Sequence, residues 1–136
     1  MSKFTDYYEN QIIDHMLRNA AFTPAATLYV ALFTANSGLE ANNPTNEVSA
    51  TNYARQACAL NAAANGATFN VNAITFPEAD EDWGTITSLC LCDHVNAVNW
   101  GTDVNAVMWG DLTNSKTINT SDTFKMNASD LDITVA

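Results

Sequence analysis

The sequence predicts a mainly β fold, an antiparallel β-sandwich of the jelly-roll or immunoglobulin-like kind, with one amphipathic α-helix at its N-terminal end. Three observations carry this. A single stretch, residues 3–19, repeats its apolar side chains with helical spacing. From Thr27 onward the apolar period is two instead. About eight short strand-like runs then follow, separated by turn residues and with no second helix between them.

In the helical stretch Phe4, Tyr8, Ile12 and Met16 recur every four residues, and Ile13 and Leu17 widen the stripe. Ser2 is placed to cap the first turn, and Pro24 ends any continuation. Such a face must cover either the chain's own sheet or a neighbouring subunit. Residues 27–34 are apolar on both faces, which marks a strand covered on both sides. Residues 35–52, with Gly38 and Asn42-Asn43-Pro44, form a loop longer than ordinary connections, a length often associated with function.

Further strands are expected at 53–60, 69–76, 85–92, 106–109, 116–119, 123–126 and 131–135, with a small-residue turn at 61–68. Strict alternation in 85–92 puts Ile86, Ser88, Cys90 and Cys92 on one face and Leu89 and Leu91 on the other. In the last strand Leu131, Ile133 and Val135 are expected inward. The whole of 1–136 is expected to form one domain, with the helix in 1–20 and the sandwich in 27–136.

Composition narrows the function classes. Five Lys and Arg stand against fifteen Asp and Glu, a net charge of −10. Nucleic acid and anionic membranes both require clustered cations, and the five here are scattered, so neither is an expected partner. No apolar run approaches the roughly 20 residues of a membrane span, and no secretory signal is recognisable at 1–20. The chain is expected to be made in a cytoplasm. Cys58, Cys90 and Cys92 fit buried, reduced thiols, since zinc-type Cys-x2-Cys spacing is missing.

No catalytic residue, cofactor or metal is expected. His15 and His94 are the only histidines, no serine lies in a Gly-x-Ser-x-Gly elbow, and the five glycines form no phosphate loop. Cys92 and His94 could pair on spacing alone, but beside an apolar strand they read as structural. The acidic turn at 78–82 has carboxylates enough for Ca²⁺ but lacks the spacing of a calcium-binding loop, and reads as a solvated turn. Trp83, Trp100 and Trp109 each precede a glycine; core packing is the expected role, with sugar stacking as an alternative.

Several blocks carry a family likeness. They include 8–18 (Tyr8 to Arg18), Phe22-Thr23-Pro24, Leu28 to Thr34, Asn46-Glu47-Val48-Ser49 and Tyr53-Ala54-Arg55-Gln56. Others are Ala73 to Pro77, Trp83 to Thr87, Trp109 to Thr113, Ser121 to Phe124 and Asp130 to Val135. In this order the chain resembles a family of small tailed-bacteriophage virion structural proteins, labelled tail-fibre-like or head decoration proteins. It departs from the family pattern at Ala50-Thr51-Asn52, where relatives tend to carry glycine.

The resemblance implies a non-enzymatic virion protein. Small size, solubility and acidity favour capsid decoration, bound to the major capsid protein or other virion proteins as a homo-oligomer, with a trimer one form. A tail or fibre component and a carbohydrate-binding receptor module are the alternatives. Tyr8, Ile12, Met16 and Arg55 are the expected interface residues, the helix and the 35–52 loop being more than a minimal sandwich needs.

Overall fold

The computed structural model describes residues 2–135, so the terminal residues Met1 and Ala136 of the expected domain lie outside it. The elements are β1 (Ser2–Phe4), α1 (Asp6–Arg18), β2 (Leu28–Phe33), β3 (Gln56–Cys58), β4 (Ala67–Phe69), β5 (Ile74–Thr75), β6 (Gly84–Cys92), β7 (Ala106–Ile118), β8 (Lys125–Met126) and β9 (Asp132–Thr134). Five of the strands form one antiparallel sheet in the order β1-β7-β6-β2-β3. The other four pair as two short antiparallel ribbons, β4-β9 and β5-β8. The fold is mainly β and sandwich-like, as expected, with its second layer divided between the ribbons.

Burial explains the layering. In β2, Val30 and Leu32 point into one core and Ala31 and Phe33 into another, so the strand is covered on both faces as its sequence predicts. The first core lies between sheet and ribbons: Leu89 and Leu91 of β6 meet Phe76, Phe124, Met126, Leu131 and Ile133. On the other face Cys90, Cys92 and Ala106 are covered by Leu39 and Val104 from two long loops. All three cysteines are buried and free, as their sequence context implies.

The 35–52 loop is therefore a wall of the second core. Thr34 and Val48 donate backbone hydrogen bonds to Asn46 and Leu32, both at 3.0 Å, which closes its base. Buried Asn42 donates to Asn105 Oδ1 (2.8 Å) and accepts from the Ala106 amide (2.7 Å). Gly38 makes the turn possible: its φ is +79°, and a Cβ there would fall 2.1 Å from the Asn43 carbonyl oxygen.

Several local expectations are corrected. Phe4 belongs to β1 and not to the helix, because Ser2–Phe4 completes the sheet edge beside β7. The cap is Thr5 in place of Ser2: its Oγ1 accepts from the Tyr8 amide (3.5 Å) and donates to the Ala106 carbonyl (2.6 Å). Residues 106–119 contain one continuous strand, β7, where two were expected. Residues 53–60 and 69–76 shrink to short β3 and β5, and part of the expected 61–68 turn is β4.

Facing Thr87, four residues of β7 (112–115) bulge out between the pairs Ile86↔Lys116 and Ser88↔Asp111. Alternation breaks there, so Ile86 joins Leu89 and Leu91 instead of Cys90 and Cys92. Val135 is exposed, lying beyond the end of β9.

Thr5 is fully buried and serves sheet and helix at once. Replacing it with alanine removes the cap and leaves the Ala106 carbonyl without that donor. The expected cost is about 1–2 kcal/mol, measured by urea denaturation.

Candidate functional site

The densest polar constellation is internal. The Arg55 guanidinium grips Glu47 through two parallel hydrogen bonds, Nε to Oε1 and Nη2 to Oε2, both 2.7 Å. Its Nη1 donates to the His94 carbonyl (2.9 Å), and its plane lies 4.7 Å from the centre of the Trp100 ring. Tyr53 donates its hydroxyl proton to Glu47 Oε1 (3.0 Å) and accepts from the Leu32 amide (2.9 Å). The Arg55 and Glu47 side chains are only 4% and 18% exposed.

Burial alone works against the charge on Arg55, but the hydrogen bonds and charge of Glu47 more than offset it and hold the guanidinium protonated. Burial and the neighbouring Glu47 carboxylate push the Tyr53 hydroxyl well above the usual tyrosine range. The network joins the 35–52 loop to β3 and to the loop that carries His94 and Trp100. Arg55 is thus committed within the subunit, and the same holds for Tyr8, buried and edge-on to Phe22.

The side chains with chemical potential are occupied locally. His94 Nδ1 accepts from the Asn96 and Ala97 amides (3.2 and 3.0 Å), so its ring serves its own turn. Cys92 Sγ is 3.5 Å from the His94 carbonyl oxygen, so its contact is with that residue's backbone. His15 Nδ1 lies 2.9 Å from the Ala20 carbonyl. In the acidic turn, Glu81 accepts from the Thr51 amide (2.8 Å) and Asp82 from the Thr120 amide (2.8 Å). Among the described residues no three His, Cys, Asp or Glu side chains converge as a metal-ligand set.

The tryptophans are likewise engaged. Trp83 is buried in an aromatic group with Tyr53 and Phe76. Trp100 packs on Phe33 and Arg55. Trp109 donates to Glu40 Oε2 (2.8 Å) and carries the Lys3 ammonium 5.2 Å from its ring centre. Trp83 is enclosed, while Trp100 and Trp109 stay partly exposed beside these contacts.

Alkaline pH tests this interior. Burial pushes the Cys58 thiol from 9.0 up to about 11, and burial with the nearby Asp93 charge pushes Tyr8 from 10.0 up to about 12. Both groups are neutral when folded and ionise earlier when unfolded. Their contribution is therefore complete below pH 9 and lost as pH rises toward 12. Melting temperature is expected to be flat to about pH 8.5 and to fall steeply above it. Tyr8→Phe is expected to flatten the upper part of that fall.

On the helix, a group of large apolar side chains is exposed. Ile13, Met16 and Leu17 of α1 are 52, 71 and 80% exposed, whereas Tyr8 is buried and Ile12 half-buried. The expected single stripe divides: Tyr8 lies against the body with Ile12 half-buried beside it, while Ile13, Met16 and Leu17 point away. Of the four interface residues expected from the sequence, Met16 is the one fully presented. In the sequence Ile13 and Leu17 widen one stripe; the i, i+3, i+4 relation among 13, 16 and 17 is the available signal for a second face.

Compared with known families, residues 3–134 match the family model described as "Podophage GP4 fiber I protein gp80". The chain belongs to this family. The match spans almost all of the sequence and makes the chain a member of a phage virion structural family of fibre type. No curated protein matches it.

Proposed function

We propose that the chain is a non-catalytic structural component of the phage tail fibre. The observation that carries this reading is the fibre-protein family match over residues 3–134. The geometry supports it from a second direction: His94, Cys92, Glu81 and Asp82 are committed to holding loops and core. Tyr8 and Arg55 act inside the subunit, and Met16, with Ile12 beneath it, belongs to the surface through which the subunit is incorporated.

The fibre reading takes precedence over the capsid-decoration role expected from size and acidity, since those properties are common to both. A phage lacking this gene separates them. The expected result is normal, stable, DNA-filled heads with adsorption to host cells reduced at least tenfold. Heads that burst on mild heating, with adsorption intact, would instead identify a cement protein.

A further inference from the structure

The outward face of α1 reads Asp6, Glu9, Ile13 and Met16 in steps of three and four residues, with Leu17 four residues beyond Ile13. All five are exposed. Tyr8 lies on the side against the body, and Ile12 is half-buried between the two sides. A helix apolar on two sides requires two neighbours, and the chain's own sheet supplies one. We infer that the second neighbour is a different virion protein, presenting an apolar seat for Ile13, Met16 and Leu17 with Lys or Arg side chains beside Asp6 and Glu9. The inference rests on the reading of the chain as a virion component.

Charge decides against a second copy. Each chain carries −10, and one of its five cations, Arg55, is buried against Glu47. Two copies meeting on this face would bring together like net charges and, in a parallel pairing, their exposed acids as well. A cationic partner turns both terms favourable and also steers the encounter. The apolar residues then supply the anchor, and Asp6 and Glu9 fix which end of the helix faces which end of the seat.

The test uses intact particles carrying p-benzoylphenylalanine in place of Leu17, a position whose exposure leaves the fold undisturbed. Illumination followed by mass spectrometry of the cross-linked peptide identifies the neighbour. The expected product joins α1 to an apolar segment of another virion protein that carries Lys or Arg. In parallel, particles with Asp6→Asn and Glu9→Gln are expected to release the chain at a lower NaCl concentration than wild type, because the screened attraction is weaker. A cross-link to a second copy or to an acidic segment overturns the inference. So does absence of a cross-link with the chain present at normal copy number, or an unchanged salt profile. Absence of the wild-type chain from purified particles would overturn the virion reading as well, so the two failures are told apart.

Discussion

Replacing Arg55 with alanine is expected to destabilise the protein by about 3–5 kcal/mol, the cost of leaving a buried ion-pair partner uncompensated. The Glu47 carboxylate would keep only Tyr53 as a donor from this network, the His94 carbonyl would lose its guanidinium bond, and the Trp100 face would lose its cation. Three segments distant in sequence come apart together, so the loss falls on the loop walls of the second core as well as on β3. Arg55→Lys keeps the charge but cannot make two parallel bonds to one carboxylate, and is expected to recover only part of the stability. The double variant Glu47→Leu with Arg55→Met removes both charges. It is expected to be more stable than the sum of the single losses, because neither charge is stranded. Urea denaturation of wild type, Arg55→Ala, Arg55→Lys, Glu47→Leu, Arg55→Met and the double variant measures this directly.

The second large effect is expected at Phe76. It is fully buried, stacks on Tyr53 at 6.0 Å, and meets Phe124 and Trp83 edge-on at 5.6 and 6.3 Å. Its amide donates to the Phe124 carbonyl (3.0 Å), just beyond the two-residue ribbon β5-β8. A ribbon so short has little hydrogen bonding of its own, and aromatic packing is what holds it against the sheet. Phe76→Ala is expected to cost about 3–5 kcal/mol, a large share of an ordinary domain's stability. Phe69→Ala, at a partly exposed position on β4, is expected to cost less than about 1 kcal/mol. Comparable losses at the two positions would mean that the ribbons are not held as described.

Much of this architecture is legible in the sequence, for identifiable reasons. β2 carries four consecutive buried residues, Val30 to Phe33, and only a strand covered on both sides needs that pattern. Buried cysteines and one N-terminal helix follow from equally local signals. What is lost depends on partners distant in sequence. Phe4 fits the helical period by chance, and only the pairing with Met108 assigns it to β1. The change of face at Ile86 comes from three extra residues on a different strand, which nothing local to β6 reveals.

The site divides in the same way. Arg55 is conspicuous as a lone cation, but its partner Glu47 lies across a turn, and a strand-edge salt bridge and an exposed anchor look alike in one dimension. The helix shows its apolar residues plainly. Which of them face inward depends on where Thr5 anchors the first turn to Ala106. Once that anchor is set, Tyr8 turns inward and Leu17 turns outward.

We propose that this chain works as a fibre subunit of the phage particle. Cryo-electron microscopy of the intact virion at side-chain resolution tests it most directly. The expected result is density for this fold in the tail fibres, with Ile13, Met16 and Leu17 seated against a neighbouring protein. Density for the fold spread over the capsid lattice, with none in the tail, would contradict it.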